Sequence, residues 1–141
     1  MSASNSLENG IMLLFFNATT YNLIAENDTT SPATNLYVSL HTADPGETGT
    51  AVTNETAYTD YARVAVVRTG SGWTVSTNTV TNAAAVTFPV CGVTGATITH
   101  FGIVSTASGA GELYFSGTCS LVVSTGVTPE FAIGALSVTA D

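Results

Sequence analysis

The sequence has 141 residues, including ten Asp and Glu but only two arginines, Arg63 and Arg68, and no lysine, so its formal net charge is −8. Such a chain is a poor partner for nucleic acid, because it has almost nothing with which to neutralise phosphates. An anionic membrane surface would repel it for the same reason. Its 45% content of hydrophobic residues nevertheless indicates a globular protein. We therefore expect one folded domain without a nucleic-acid or membrane partner.

The N-terminal apolar run, residues 11–16, predicts a short helix. It is too short to span a bilayer, which takes about 20 residues, and it lacks the basic residues that precede the core of a secretory signal. Helical spacing places four side chains on one stripe: Leu7, Ile11, Leu14 and Phe15. Two interpretations remain open. The helix covers one end of the body, or residues 1–25 form an arm that docks on a neighbouring subunit.

After residue 25 the pattern changes to short alternating segments separated by turn residues. Residues 36–42 alternate as a half-buried strand does, and residues 61–69 and 73–76 predict a hairpin around Gly70-Ser71-Gly72. Further strands are predicted at residues 85–88, 97–104, 112–116, 119–124 and 135–139. About eight such strands predict an all-β fold, a single antiparallel jelly-roll-like sandwich over residues 26–141.

Residues with catalytic or metal-binding chemistry are sparse. The segment 44–60 carries four carboxylates and is either a cation site or, by default, a solvated loop. His41 and His100 could join a carboxylate in a metal site, but a hydrogen-bonded pair at a sheet surface is the more frequent arrangement. Gly-x-Ser-x-Gly and phosphate-binding Gly-Lys motifs are missing from the sequence. We expect no catalytic residues, no bound metal, no cofactor and no enzymatic activity.

Aromatic and cysteine residues give further expectations. Tyr58 and Tyr61, flanked by threonine and aspartate, are predicted to make exposed contacts with a partner, whereas Trp73 follows a tight turn and is predicted to lie in the core. Cys91 and Cys119 could bridge two strands, but we favour free thiols.

Several stretches carry a resemblance to a known family: LYVSLHTADPG at 36–46, YARVAV at 61–66, GELYFSG at 111–117 and PEFAIGALSV at 129–138. The chain resembles small virion proteins of tailed bacteriophages, commonly labelled tail-fibre-like or capsid decoration proteins. The resemblance implies a non-enzymatic β-sandwich that is assembled in many copies on the virion, and it carries over no catalytic residues.

Charge and size then favour one placement on the virion. The capsid lumen is filled with polyanionic DNA, so a protein of this charge should prefer the outer surface. We expect a capsid decoration (cement) protein that is made in the host cytoplasm, bridges major capsid protein subunits and forms a homotrimer. The alternative is a head-fibre or tail-tip attachment protein that binds host carbohydrate. The candidate partner-binding residues are Leu7, Ile11, Leu14, Phe15, Tyr58 and Tyr61.

Overall fold

A computed structural model describes residues 5–20 and 32–139. Within these residues one helix and nine strands are present, and they are α1 (Asn5–Asn17), β1 (Asn35–His41), β2 (Val64–Val67), β3 (Trp73–Ser76), β4 (Thr79–Asn82), β5 (Val86–Thr87), β6 (Ala96–Val104), β7 (Leu113–Val123), β8 (Glu130–Phe131) and β9 (Ser137–Thr139). The prediction of an all-β chain with a short N-terminal helix is confirmed, and the antiparallel sheets are consistent with a β-sandwich.

The strands form three sheets, with orders β2-β1-β6-β7, β3-β4-β9 and β5-β8. Internal contacts divide the chain into two units. The helix unit comprises Met1–Asn35, Val66–Ala85 and Phe131–Asp141, and the sheet unit comprises Leu36–Ala65 and Val86–Glu130. The single sandwich domain expected from the sequence stays a prediction.

In the helix unit, α1 packs on β3 and β4 through Met12 and Phe16. The Phe16 ring meets the ring of Trp73 edge-on at 4.9 Å between centroids, a favourable aromatic geometry. Trp73 is 1% exposed, so its predicted place in the core is confirmed. The last turn of α1 has no basic residue. Arg68, which lies outside the helix, places a basic side chain there. Its Nε donates to the Phe15 carbonyl at 2.7 Å and its NH2 donates to the Leu14 carbonyl at 3.0 Å.

A buried amide fixes the C-terminal segment of the helix unit to β4. Asn82, which is 1% exposed, donates through Nδ2 to the carbonyls of Ala84 and Ala132 and accepts from the Leu136 amide through Oδ1. All the hydrogen-bonding positions of its Nδ2 and one on its Oδ1 are used, so this polar side chain is buried without an unpaired donor.

The predicted hairpin between residues 61–69 and 73–76 is wrong. β2 belongs to the sheet of β1, whereas β3 pairs with β4. The turn between β3 and β4 has Thr77 at φ 56°, a conformation that favours glycine. Because threonine is not one of the usual turn residues, the sequence pattern did not predict a turn at this position.

Residues 112–116 and 119–124 were predicted as two strands, but they form the single strand β7. Gly117 interrupts the apolar pattern and resembles a turn residue. It is paired with Phe101 in β6, and a Cβ at Gly117 would lie 2.6 Å from two atoms of the Phe101 ring. The glycine therefore makes room for an aromatic ring across the sheet and does not break the strand.

A buried histidine lies at the end of β1. His41 and Ser39 are both 0% exposed. The prediction that His41 and His100 lie at the sheet surface is therefore wrong for His41. The two histidines nevertheless face each other in the β1–β6 register. His41 Nδ1 lies 2.8 Å from the Thr53 carbonyl and Nε2 lies 2.8 Å from Ser39 Oγ. Because a carbonyl only accepts, Nδ1 carries the proton, and Nε2 of the neutral ring accepts from the Ser39 hydroxyl.

Burial lowers the pKa of His41 below its usual 6.5; Arg63 and His100 act in the same direction, while the Thr53 carbonyl and Glu55 oppose it. As pH falls below about 6.5, the unfolded chain therefore binds a proton at His41 before the folded chain does. The free energy of unfolding should decrease by up to about 1.4 kcal/mol per pH unit in that window. Urea unfolding between about pH 7 and pH 5.5 measures this slope.

His41→Gln should remove this slope, and His100→Gln, the matched control on the facing strand, should retain the part due to His41. Equal slopes in the wild type and His41→Gln would contradict the assignment.

Candidate partner-binding surfaces

A buried ion pair holds together the segment 51–63 and the connection between β6 and β7. Arg63, whose side chain is 2% exposed, donates through Nε to Glu55 Oε1 at 2.6 Å and through NH2 to Oε2 at 2.7 Å. Its other contacts are with oxygens of Thr106, Gly109 and Ala51, at 2.9 to 3.3 Å. The planar guanidinium therefore uses all three nitrogens, as its fixed fork of donors allows.

Tyr61 extends this cluster to β1. Its hydroxyl donates to Glu55 Oε1 at 2.9 Å and accepts from the Leu40 amide at 3.1 Å. Burial raises the pKa of Tyr61 well above its usual value, and the hydrogen bond to Glu55 raises the pKa of Arg63. Tyr61 and Arg63 therefore keep their protons, and the hydrogen-bond network persists, over the physiological pH range.

A cleft of about 410 Å³ lies between the segments 55–63 and 107–109. The half-buried Tyr61 and the exposed Asp60 line it, and the Tyr61 ring packs edge-on against Tyr58 at 5.3 Å. The prediction that Tyr58 is exposed is wrong, since it is 2% exposed. Its hydroxyl donates to the Pro89 carbonyl at 2.8 Å, and burial raises its pKa to about 12. A tyrosine flanked by polar residues can thus point inward when a backbone carbonyl accepts a hydrogen bond from its hydroxyl.

The four carboxylates of segment 44–60 divide between two clefts. Glu55 and Asp60 line the cleft just described. Asp44 and Glu47 line a second cleft of about 450 Å³ beside the start of β7, and Asp44 Oδ1 accepts from the Gly46 amide at 2.8 Å. Among the described residues, no group of three or more His, Cys, Asp or Glu could hold a metal ion.

The predicted stripe on α1 faces away from the packed side of the helix. Ile11 is 49% exposed, whereas Met12 and Phe16 are buried. Leu14 and Phe15 are half-buried, and the Leu7 side chain lies outside the described part. Six consecutive apolar residues allow more than one helical face, and packing on Trp73 selects the face of Met12 and Phe16. The partner-binding role of Leu7, Ile11, Leu14, Phe15, Tyr58 and Tyr61 stays a prediction.

The two cysteines are free, as favoured from the sequence. Cys91 is buried, with Sγ 3.4 Å from the Thr94 carbonyl. Burial raises the pKa of the half-buried Cys119 to about 11. Cys119 is therefore protonated and weakly nucleophilic at neutral pH.

Sequence reasoning missed two exposed apolar side chains. Val93, in the connection before β6, is 78% exposed, and Val122, on β7, is 74% exposed. Strand β7 lies at one end of its sheet. The sequence pattern predicts a turn at Val93 and a strand at Val122, and it does not identify which strand lies at the edge of a sheet.

One family comparison bears directly on function. The family described as "Podophage GP4 fiber I protein gp80" matches residues 2–139. The chain belongs to this family. It is therefore a structural protein of the bacteriophage virion, which confirms the resemblance at that level. No curated protein matches the chain. Within the residues described, no helix is both long and apolar enough to cross a membrane.

Removing one partner of the buried ion pair should destabilise the fold strongly. Arg63→Met leaves the Glu55 carboxylate without its counter-ion, and we expect the free energy of unfolding to fall by about 3–5 kcal/mol. Arg63→Lys should fall between this variant and the wild type, because it keeps the charge but loses the fork. Urea unfolding gives the values.

The exposed carboxylate Glu47 provides the control. Glu47→Gln should change stability by less than about 0.5 kcal/mol. A loss below about 1 kcal/mol in Arg63→Met would show that the cluster is not a major contribution to stability.

Proposed function

We propose that this protein is a non-enzymatic fibre-type component on the exterior of the virion, where its copies contact other virion proteins. The family match carries the proposal, because the family is described as a fibre protein and spans nearly the whole chain. The fibre placement was the alternative from the sequence. We propose it ahead of capsid decoration because the description of the family names a fibre.

Charge supports an exterior position. Both arginines donate to oxygens of the chain itself, Arg63 in the Glu55 cluster and Arg68 at the end of α1. Exposed carboxylates such as Glu47, Glu112 and Glu130 therefore face solvent without a basic side chain to offset the net charge of −8. Packaged DNA would repel such a surface, whereas a basic region of another virion protein would attract it.

The attachment surface is proposed to include the outward side of α1. Ile11 is half exposed on a helix whose other side is already packed, and Leu14 and Phe15 are only partly covered. Burying such apolar side chains against a partner removes them from water, at roughly 25 cal/mol per Å². The partner would be another virion protein.

Capsid decoration is the second candidate, and the sequence itself favours it. The chain has neither the heptads nor the β-helix repeat that a long fibre stalk usually needs. A decoration protein would bridge major capsid protein subunits, and its several weak contacts would gain by effective concentration. The predicted homotrimer belongs to this candidate.

Counting copies per particle separates the two candidates. A fibre component should be present in tens of copies or fewer, whereas a decoration protein should approach one copy per major capsid subunit. Particles lacking a fibre should lose adsorption to the host and keep their heat stability. Particles lacking a decoration protein should adsorb and burst at lower temperature. Quantitative mass spectrometry of purified particles gives the copy number.

The role of α1 has its own test. Ile11→Asp should reduce incorporation into particles at least about tenfold, because a carboxylate would be buried in an apolar contact. Ile133→Asp is the matched control, since Ile133 is 71% exposed in the same unit, and it should incorporate normally. The isolated Ile11→Asp protein should unfold at the wild-type urea concentration. Normal incorporation of Ile11→Asp would remove α1 from the attachment surface.

A further inference from the structure

Strand β7 is the longest strand described, and it lies at the end of the sheet order β2-β1-β6-β7. Edge strands expose backbone N–H and C=O groups that can pair with another chain, and proteins usually protect them with charged residues, prolines, bulges or short length. The eleven residues of β7 contain no charged residue and no proline. Of the usual protections, β7 lacks charged residues, proline and short length; it has two register shifts with β6, and Asp44 and Glu47 lie beside its first residues.

The side chains of β7 alternate regularly between its two faces. From Leu113 to Val122, half-buried residues alternate with exposed ones. Tyr114 and Val122 are the large apolar side chains on the exposed face, at 37% and 74% exposure. On the inward face the residues from Leu113 to Leu121 are half-buried, and Val123 at the end of the strand is buried.

The sequence of β7, LYFSGTCSLVV, is nearly palindromic in chemical character about its central residue, Thr118. When the strand is laid antiparallel to a copy of itself about that centre, each residue faces one of similar kind. The exposed face then has the pairs Tyr114–Val122, Ser116–Ser120 and Thr118–Thr118. The other face has Leu113–Val123, Phe115–Leu121 and Gly117–Cys119. Aromatic–β-branched pairs and threonine or serine pairs are among the favourable cross-strand combinations.

We propose that β7 pairs antiparallel with β7 of a second copy of this chain, about a two-fold axis at Thr118. A contact between identical strand edges is isologous, and in-register antiparallel pairing satisfies that symmetry. The register with β6 shifts twice, between Ile98 and His100 and between Ile103 and Val104. Each shift adds a residue on β7 and bends the strand, and two-fold symmetry gives both copies the same bend.

Charge selects a second copy as the occupant. Two copies with a formal charge of −8 each repel one another, so they can approach closely only where the surface is uncharged. The sequence from 113 to 129 carries no charge at all. A basic partner would gain no ion pair from β7 itself; the carboxylates near it are Asp44 and Glu47, in the cleft beside Leu113–Ser116. A second copy meets a matching row of donors, acceptors and apolar side chains.

Charge substitutions at the centre of β7 test the proposal. Thr118 would face itself across the axis, so Thr118→Asp and Thr118→Lys each place like charges opposite one another. In sedimentation velocity, the wild-type protein should be a dimer, and each variant alone should raise the dimer Kd at least about tenfold. Mixing the two variants in equal amounts should restore dimers, because the opposite charges would then pair.

Thr74 provides matched controls, since it is an exposed threonine on β3, an edge strand of the three-stranded sheet. Thr74→Asp and Thr74→Lys should dimerise as the wild type does. A monomeric wild type, an oligomer unaffected by both Thr118 changes, an effect of only one sign of charge, or no recovery on mixing would each overturn the proposal.

Discussion

The ion pair between Arg63 and Glu55 is the interaction on which the loop structure of the sheet unit depends. Breaking a buried pair leaves an uncompensated charge, which is among the more costly single defects in a fold. Here the same guanidinium also holds carbonyls of Ala51, Thr106 and Gly109. The segment 51–63 and the connection between β6 and β7 therefore share one anchor, and both segments line the cleft beside Tyr61.

The use of both arginines inside the fold determines the character of the surface. Arg68 donates to the last turn of α1 and Arg63 donates within its cluster, so the remaining ionised side chains are carboxylates. The exposed ones among them are concentrated on a few loops and strand ends, while residues 69–111 and 113–129 carry no charge. The molecule therefore presents acidic regions that suit basic partners and uncharged regions that suit apolar or identical ones.

Local periodicity predicted the elements whose partners lie close in sequence or whose apolar pattern is strong, such as α1, β1 and β3. It failed where a residue acts through a distant contact. Gly117 has the sequence context of a turn residue, but it lies across the sheet from the Phe101 ring. Tyr58 has the sequence context of a surface residue, but its hydroxyl donates a hydrogen bond to the Pro89 carbonyl. Arg63 gave no signal of its role, because four of its six acceptor atoms belong to residues at least twelve positions away. The other two belong to the Glu55 carboxylate, which could equally have faced solvent.

A strand edge such as that of β7 carries a risk of unwanted association. A long, uncharged edge in solution is a template for open-ended association. Two-fold pairing removes this hazard, because each β7 edge is covered by its counterpart and no second β7 edge remains for growth. A heterologous contact between β7 and the opposite end of the sheet, β2, would leave a free edge at each end of the assembly unless it closed into a ring. The near-palindrome about Thr118 favours the closed isologous contact, since a heterologous contact would not require a strand to match itself.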